Sequence, residues 1–295
     1  MPTETQIQEA RIRSNPMVEN LLVNPGFEVW QRGVGPFTTH NTFTSDEWRL
    51  YAPYGGSPAV QRSSSPLTGT YCAQVSCSDF ISINQGIEAY KALGDQWVTA
   101  SLWAKTFLEN SVWMRLWDYN GSSYDIAESQ KHTGSGEWEQ LVLTKRVRTG
   151  LQPDAAGCHG FGMQMETMQT SGVAFFDGAV LTRGYFPEGV PFVPPNPAED
   201  QERCQRFYQT SGGESRSTGI WRQDVVSGSQ YWLDKIFQTP MQATPTITLV
   251  NGGASGFGVG VGTVQLDTKG FKEYRTATTT SAASYFWTYW EAEVP

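Results

Sequence analysis

One short stretch of the chain has residue types and a spacing that suit sugar binding. Its members are Trp113, Arg115, Trp117 and Tyr119. Because successive side chains of a β-strand point to opposite faces, these four residues lie together on one face of an unbroken strand. A saccharide presents apolar C–H surfaces and a rim of hydroxyls, which flat aromatic rings and a planar donor can contact. The row therefore predicts a glycan platform, with the apolar residues between its members facing the core.

The same row has two other interpretations. It is also what the core face of a strand or a contact with a neighbouring subunit would look like, since aromatic residues and arginine are enriched at protein interfaces. A second row contains Trp97 and Trp103 with Thr99 and Ser101 between them. The alternation alone does not decide which row is a ligand site, a core or an interface.

Residues for catalysis are poorly represented. The three histidines lie in no metal-binding or nucleophile motif, and no Gly-x-Ser-x-Gly sequence is present. Asp118 with Asp125, or Glu137 with Glu139, offer paired carboxylates for glycoside cleavage. Acidic residues at strand ends are more often only solvated, so we predict a protein without enzymatic activity and keep a polysaccharide depolymerase as an alternative.

The composition limits the classes of partner. The formal net charge is −8, and no cluster of Lys and Arg offers a surface for phosphate backbones, so no nucleic-acid partner is expected. The sequence contains no run of 18 apolar residues, so no membrane insertion is expected. The N-terminus lacks the apolar region of a secretory signal, and the four cysteines lack zinc-site spacing, so we expect synthesis in a cytoplasm with reduced cysteines.

Short apolar stretches that alternate with polar residues predict an all-β protein. The length of 295 residues indicates two domains. The period of two, with frequent Gly, Pro and Asn between the stretches, predicts an N-terminal antiparallel jelly-roll β-sandwich at 20–195. A proline-rich linker leads into a smaller C-terminal β-sandwich domain at 196–295. Residues 1–19 are predicted to form a short helical or extended arm for attachment or oligomerisation.

Several short motifs follow one another along the chain. The motifs are NLLVNPGFEVWQRG at 20–33, DEW at 46–48, VTASLWAKT at 98–106, GEWEQLVLT at 136–144, FFDGAVLTRG at 175–184, PEGVPF at 187–192, CQRFYQ at 204–209 and PMQATPTITL at 240–249. Their order resembles that of bacteriophage virion proteins, namely tail fibres, tail spikes, head fibres and the head spikes of gene transfer agents. The first half is also similar to carbohydrate-binding jelly-roll modules, which share a Gly-Phe-Glu opening and a Phe-x-Asp closing.

The resemblance implies a metal site. In the sugar-binding modules, a structural Ca²⁺ lies between the first and last strands, and two of its ligands correspond here to Glu28 and Asp177. Carboxylate oxygens are ligands that Ca²⁺ prefers. The alternative is that Glu28 caps a turn and Asp177 accepts backbone N–H groups.

The resemblance also implies a function. The expected protein is a non-enzymatic fibre or spike on the virion surface that attaches to host surface polysaccharide. Such proteins are commonly homotrimers, and the arm at 1–19 is expected to contact other virion proteins. The alternative to a receptor-binding role is a structural one, as a capsid decoration or baseplate protein.

Overall fold

The structure is a computed structural model. It describes residues 19–153, 159–168, 172–210, 221–255, 262–264, 266–276 and 281–294, so all of the predicted arm except Glu19 lies outside the described residues. The chain divides into two compact units, residues 1–197 and 198–295.

The first unit is an antiparallel β-sandwich of two sheets. One sheet has six strands in the order β1-β2-β5-β10-β7-β8, and the other has five in the order β3-β4-β11-β6-β9. A 3₁₀ turn at Tyr90–Leu93 precedes β6. The strands are β1 Thr42–Phe43, β2 Arg49–Tyr51, β3 Ala59–Ser63, β4 Cys72–Ser76, β5 Phe80–Gly86, β6 Trp97–Thr106, β7 Val112–Tyr119, β8 Tyr124–Glu128, β9 Trp138–Arg146, β10 Phe161–Met168 and β11 Val173–Arg183.

The core of this unit lies between the two sheets. Each sheet gives the core the apolar side chains of one face, and the alternation that the sequence predicts for β6 and β7 is observed. Val112, Met114 and Leu116 of β7 are completely buried, as is Leu102 of β6. The predicted all-β sandwich fold is therefore confirmed.

The two ends of this unit lie side by side. The backbone N–H of Leu21 donates to the carbonyl of Leu181 at 2.8 Å, and the side-chain amide of Asn20 donates to the carbonyl of Ala179 at 2.9 Å. Phe27 and Phe176 are both completely buried in the same core. The opening and closing motifs thus belong to one sandwich, as the sequence predicts.

A segment after β11 covers the outer side of the five-stranded sheet. The Thr99 hydroxyl donates to the carbonyl of Gly184 at 2.8 Å, and the Ser101 hydroxyl donates to the carbonyl of Val190 at 2.9 Å. Thr99 and Ser101 are consequently buried, although they point away from the core. Residues 184–190 therefore occupy the centre of the second tryptophan row.

The described residues of the second unit form one helix and two antiparallel sheets. In helix α1, Pro197–Gln205, proline occupies the first position and acidic residues the first turn, as helix N-termini favour. A small apolar cluster includes Phe237, Met241 and Phe271. In one sheet β18 pairs with β12, β13 and β15, and the other has the order β14-β17-β16. The strands are β12 Tyr208–Thr210, β13 Trp221–Val225, β14 Gln230–Ile236, β15 Thr246–Ser255, β16 Gly262–Val264, β17 Gly270–Thr276 and β18 Ser281–Glu293.

Among the described residues, neither helical segment has the length and apolar character needed to cross a bilayer.

Candidate functional site

The predicted glycan row lies on the side of the six-stranded sheet that points away from the core. Register pairs in antiparallel strands share a face, so the neighbours of β7 on this side follow from the pairing of the strands. We call this side the six-stranded outer face. Its members are Arg49 and Tyr51 of β2, Phe80, Ser82 and Asn84 of β5, Gln164, Glu166 and Met168 of β10, Trp113, Arg115, Trp117 and Tyr119 of β7, and Tyr124, Ile126 and Glu128 of β8.

One aromatic cluster lies near the start of β7. Trp113 is 5% exposed, and its ring lies 6.5 Å from that of Phe80, which lies 6.4 Å from that of the exposed Tyr54. The Lys131 ammonium lies 4.7 Å from the Trp113 ring centre. Trp113 is therefore the buried member of this cluster, and its neighbours supply the apolar surface that faces solvent.

A second aromatic cluster lies at the end of β7. Trp117 is 8% exposed and contacts Tyr124 edge-on, with ring centres 5.9 Å apart, and Tyr124 lies 4.8 Å from Tyr119. Tyr124 itself is 51% exposed. A Cβ at Gly162 would lie 2.6 Å from the Trp117 ring, so only glycine on β10 lets the indole lie this close to the sheet.

The charged centre of the face lies between these clusters. Arg115 donates through Nε to Glu128 Oε1 at 2.7 Å and through Nη1 to Glu166 Oε1 at 2.8 Å. Its Nη2 also lies 2.5 Å from Glu128 Oε1. Two carboxylates from the strands on either side of β7 thus hold the guanidinium by two edges.

Glu166 is the most unusual group on this face. It is 1% exposed, and its burial raises its pKa to about 7, an effect that Arg115 and a side-chain hydrogen bond with Trp113 oppose and Glu128 reinforces. Apart from each other, Glu166 Oε2 and Trp113 Nε1 have no hydrogen-bond partner within the described part of the chain. Two further buried atoms of this face, Ser82 Oγ and Trp117 Nε1, have no partner among the described residues. Since buried polar atoms in folded proteins are nearly always paired, Ser82 Oγ and Trp117 Nε1 need water or a ligand.

The sequence does not place Ser82 and Glu166 beside the predicted glycan row, because they lie on strands far from β7 in the chain. The available signal was the alternation in β10, where Gln164 and Glu166 interrupt a run of apolar residues. That signal gives the face of the strand but not its neighbour, because the pairing of β5 with β10 and of β10 with β7 is a tertiary property.

The two predicted calcium ligands meet at one loop, residues 67–71. Glu28 Oε1 accepts from the backbone N–H of Thr70 at 2.6 Å and from that of Tyr71 at 3.1 Å. Asp177 Oδ2 accepts from the backbone N–H groups of Leu67 and Thr68, each at 2.8 Å. Asp177 is completely buried, and burial raises its pKa despite these hydrogen bonds.

These contacts are the ones expected of carboxylates that fix a loop. Ca²⁺ takes six to eight oxygen ligands, whereas the described residues contain no group of three or more acidic, His or Cys side chains placed to hold a metal. Glu28 and Asp177 supply two carboxylates at one place, and the remaining oxygens would have to come from backbone carbonyls or water. The chemistry of the pair suits Ca²⁺ in part, and metal binding stays a prediction.

Three of the four carboxylates considered for catalysis, Asp118, Asp125 and Glu139, are engaged in ion pairs or loop contacts. Asp118 is completely buried and accepts from Arg148, and Lys145, itself 5% exposed, lies 3.2 Å from it. Lys145 also bonds Asp125, and this hydrogen bond lowers the pKa of Asp125. Burial would raise the pKa of Glu139, but hydrogen bonds from the 133–135 loop lower it. Asp125 and Glu139 are therefore poor proton donors near neutral pH.

Comparison with known proteins gives distant similarities. No family model matches the chain, and no curated protein matches it. A solved family 61 carbohydrate-binding module in complex with β-1,4-galactotriose is 20% identical, with a TM-score of 0.37, over 56% of this chain and 99% of that chain. The C-terminal family 22 module of Clostridium thermocellum Xyn10B is 13% identical, with a TM-score of 0.38, over 54% of this chain and 96% of that chain.

A third similar structure is the enzymatically active domain of tailspike protein 4 of bacteriophage CBA120. It is 12% identical, with a TM-score of 0.39, over 56% of this chain and 21% of that chain. At these identities and TM-scores, the similarities assign no function to this chain.

Proposed function

We propose that the protein binds an extended glycan, without cleaving it, on the six-stranded outer face. The observation that supports this best is the arrangement of the face, in which two aromatic clusters flank a charged centre that contains unpaired buried polar atoms. The aromatic rings suit the C–H faces of sugars, and the polar atoms suit their hydroxyls. A glycan hydroxyl that reached Ser82 Oγ or Trp117 Nε1 would supply the missing partner.

The spacing of the clusters favours a chain of several sugars over a single sugar. Trp113 and Trp117 are four residues apart on one strand, which places their Cα atoms about 13 Å apart at the usual rise per residue. A ligand that touches both clusters must therefore span several sugar rings. The exposed Tyr124 and Ile126 would make most of the direct contacts with the glycan, and the buried tryptophans would support them from below.

We further propose that the chain is a virion surface component that uses this face to attach to host polysaccharide. The order of the sequence motifs supports this proposal. The arm at 1–19 would join the chain to other virion proteins, and assembly as a homotrimer would place several copies side by side. Linked weak sites gain avidity without any new contact, so each copy need bind only weakly.

A glycan array probed with the full chain tests the proposed binding. The array includes neutral oligosaccharides such as β-1,4-galactotriose and xylohexaose, together with bacterial capsular and lipopolysaccharide glycans. Binding to a defined subset, weakened in Tyr124→Ala and unchanged in Trp97→Ala, supports the proposal. Absence of binding across the array contradicts it.

A second candidate function is structural, because exposed Ile126 and Met168 on the same face also suit a protein partner. Particles assembled without this chain separate the two functions. Normal assembly with loss of adsorption supports attachment, whereas failed assembly supports a structural role. Loss of viscosity in host capsular polysaccharide incubated with the protein would instead indicate a polysaccharide depolymerase.

The calcium proposal has its own test, because a ligand that binds only the folded state raises the melting temperature. We expect millimolar Ca²⁺ to raise the melting temperature of the wild type relative to a chelator. Glu28→Gln should lose this response, since it removes one of the two carboxylate charges that contact the loop at 67–71. An identical melting temperature with Ca²⁺ and with chelator contradicts a calcium site.

A further inference from the structure

Arg115 is held between two carboxylates whose surroundings differ. The Glu128 side chain is 47% exposed, whereas the Glu166 side chain is 1% exposed. Glu128 contacts the Nε and Nη2 edge of the guanidinium, and Glu166 contacts Nη1 at 2.8 Å. Water can stabilise the charge of Glu128, but the charge of Glu166 depends mainly on Arg115, with a smaller contribution from a hydrogen bond with Trp113.

The geometry leaves the guanidinium with free donors. An arginine side chain has five N–H groups, and the contacts of Nε, Nη1 and Nη2 with the two glutamates use three of them. Two N–H groups remain for a ligand. Because both edges are held, the plane of the guanidinium is fixed before a ligand arrives, and less side-chain freedom is lost on binding.

The surroundings of Glu166 contain few groups that would replace Arg115. On the paired strand β5, the register neighbour is Ser82, and the next strand carries Tyr51 and Arg49. On the other side are Trp113 and, over its ring, Lys131. Of these described groups, Arg115 is the one that forms an ion pair with Glu166.

We propose that Glu166 is a positioning residue for Arg115, and that glycan binding at the six-stranded outer face is tighter when Glu166 is ionised. This inference rests on the proposed function. When Glu166 takes up a proton, the hydrogen bond that Arg115 Nη1 donates loses the charge of its acceptor and becomes weaker. Arg115 is then held strongly from the Glu128 edge only, and binding must include the cost of ordering it.

The direction of the pH effect follows from the burial of Glu166. Its pKa, raised to about 7 by burial, places the loss of the proton in the neutral range. Below that range Glu166 is neutral and affinity is low; above it Glu166 is ionised and affinity is high. Ordering one long side chain weakens binding by a factor of about 2 to 10, which is the change expected between pH 5.5 and 8.5.

The experiment measures the dissociation constant of the tightest-binding oligosaccharide of the array by calorimetry from pH 5.5 to 8.5. We expect the wild type to bind about 2 to 10 times more tightly at the upper end. Glu166→Gln keeps an oxygen for Arg115 but has no titrating charge, so its affinity should match the low-pH wild type at every pH. Glu128→Gln is the matched control, since it removes the exposed carboxylate and should keep a pH dependence, with its midpoint at lower pH because Glu128 raises the pKa of Glu166.

Three results decide between the two proposals. A flat wild-type profile overturns the role of Glu166 while leaving glycan binding intact, and this measurement needs no variant. A Glu166→Gln variant that retains the wild-type pH dependence also overturns it. If no oligosaccharide of the array binds at any pH, the proposed function itself fails, and this inference fails with it.

Discussion

The two sheets of the sandwich each carry a tryptophan row on the side away from the core, and the chain uses the two rows differently. On the five-stranded sheet, residues 184–190 accept hydrogen bonds from Thr99 and Ser101 and bury them. On the six-stranded sheet, the equivalent position holds Arg115 between two carboxylates, with exposed Tyr124 and Ile126 beside it. Two rows with the same alternation thus have opposite roles, one as an internal packing surface and one as a candidate binding surface.

The difference shows that polar residues in an outward row have two kinds of partner. Hydroxyls that face the chain's own carbonyls, as Thr99 and Ser101 do, are satisfied within the fold. Ser82 Oγ and Trp117 Nε1 have no such partner among the described residues. On the six-stranded outer face, water or a ligand must therefore complete the hydrogen bonding.

The largest expected effect compares one tryptophan from each face. Trp113→Ala removes a side chain that is 5% exposed and should lower the free energy of unfolding by about 3 to 5 kcal/mol. Trp97→Ala removes one that is 43% exposed and should lower it by about 1 kcal/mol or less. Urea unfolding measures both free energies, and equal losses of stability would contradict the description of Trp113 as a buried side chain.

A smaller effect on stability is expected from the hydroxyls of the covered face. Thr99→Val leaves the carbonyl of Gly184 and the N–H of Phe186 without their partner. The expected loss is about 1 to 2 kcal/mol, with faster proteolysis at 184–193. Ser122→Ala, in an exposed loop, serves as the control. Unchanged stability and proteolysis in Thr99→Val would show that these hydrogen bonds do not hold the segment in place.

The smallest expected effect in free energy concerns binding. Tyr124→Ala removes a half-exposed ring from the second aromatic cluster and should weaken glycan binding by about 5- to 10-fold. Trp97→Ala is the matched control, because it removes a similarly exposed ring from the other sheet. Calorimetry with the tightest-binding array glycan measures both. Equal losses in the two variants would remove the distinction between the faces.

The sequence predicts the alternation within a strand well. The period of two alone predicts that Val112, Met114 and Leu116 share one face and that Trp113, Arg115 and Trp117 share the other, but it leaves open which face is the core. A local pattern determines this alternation, because successive side chains of a strand point to opposite faces. The joining of the chain ends through Phe27 and Phe176 is also predicted, from the opening and closing motifs.

The sequence does not predict what lies over each face. The covering of Thr99 and Ser101 depends on where residues 184–190 pack against the sheet. The ion pairs of Arg115 with Glu128 and Glu166 depend on which strands flank β7. Both are properties of long-range pairing. The sequence also does not predict how exposed Trp113 and Trp117 are, since their exposure depends on side chains such as Phe80 and Tyr124 from other strands.

The most direct test of the central claim is hydrogen–deuterium exchange of the full chain with and without the tightest-binding array glycan. Binding on the six-stranded outer face predicts added protection in β7, β8 and β10, together with the loop that carries Lys131. It predicts unchanged exchange in β6 and in residues 184–193. Protection confined to β6 and the covering segment, or to the second unit, would contradict the account.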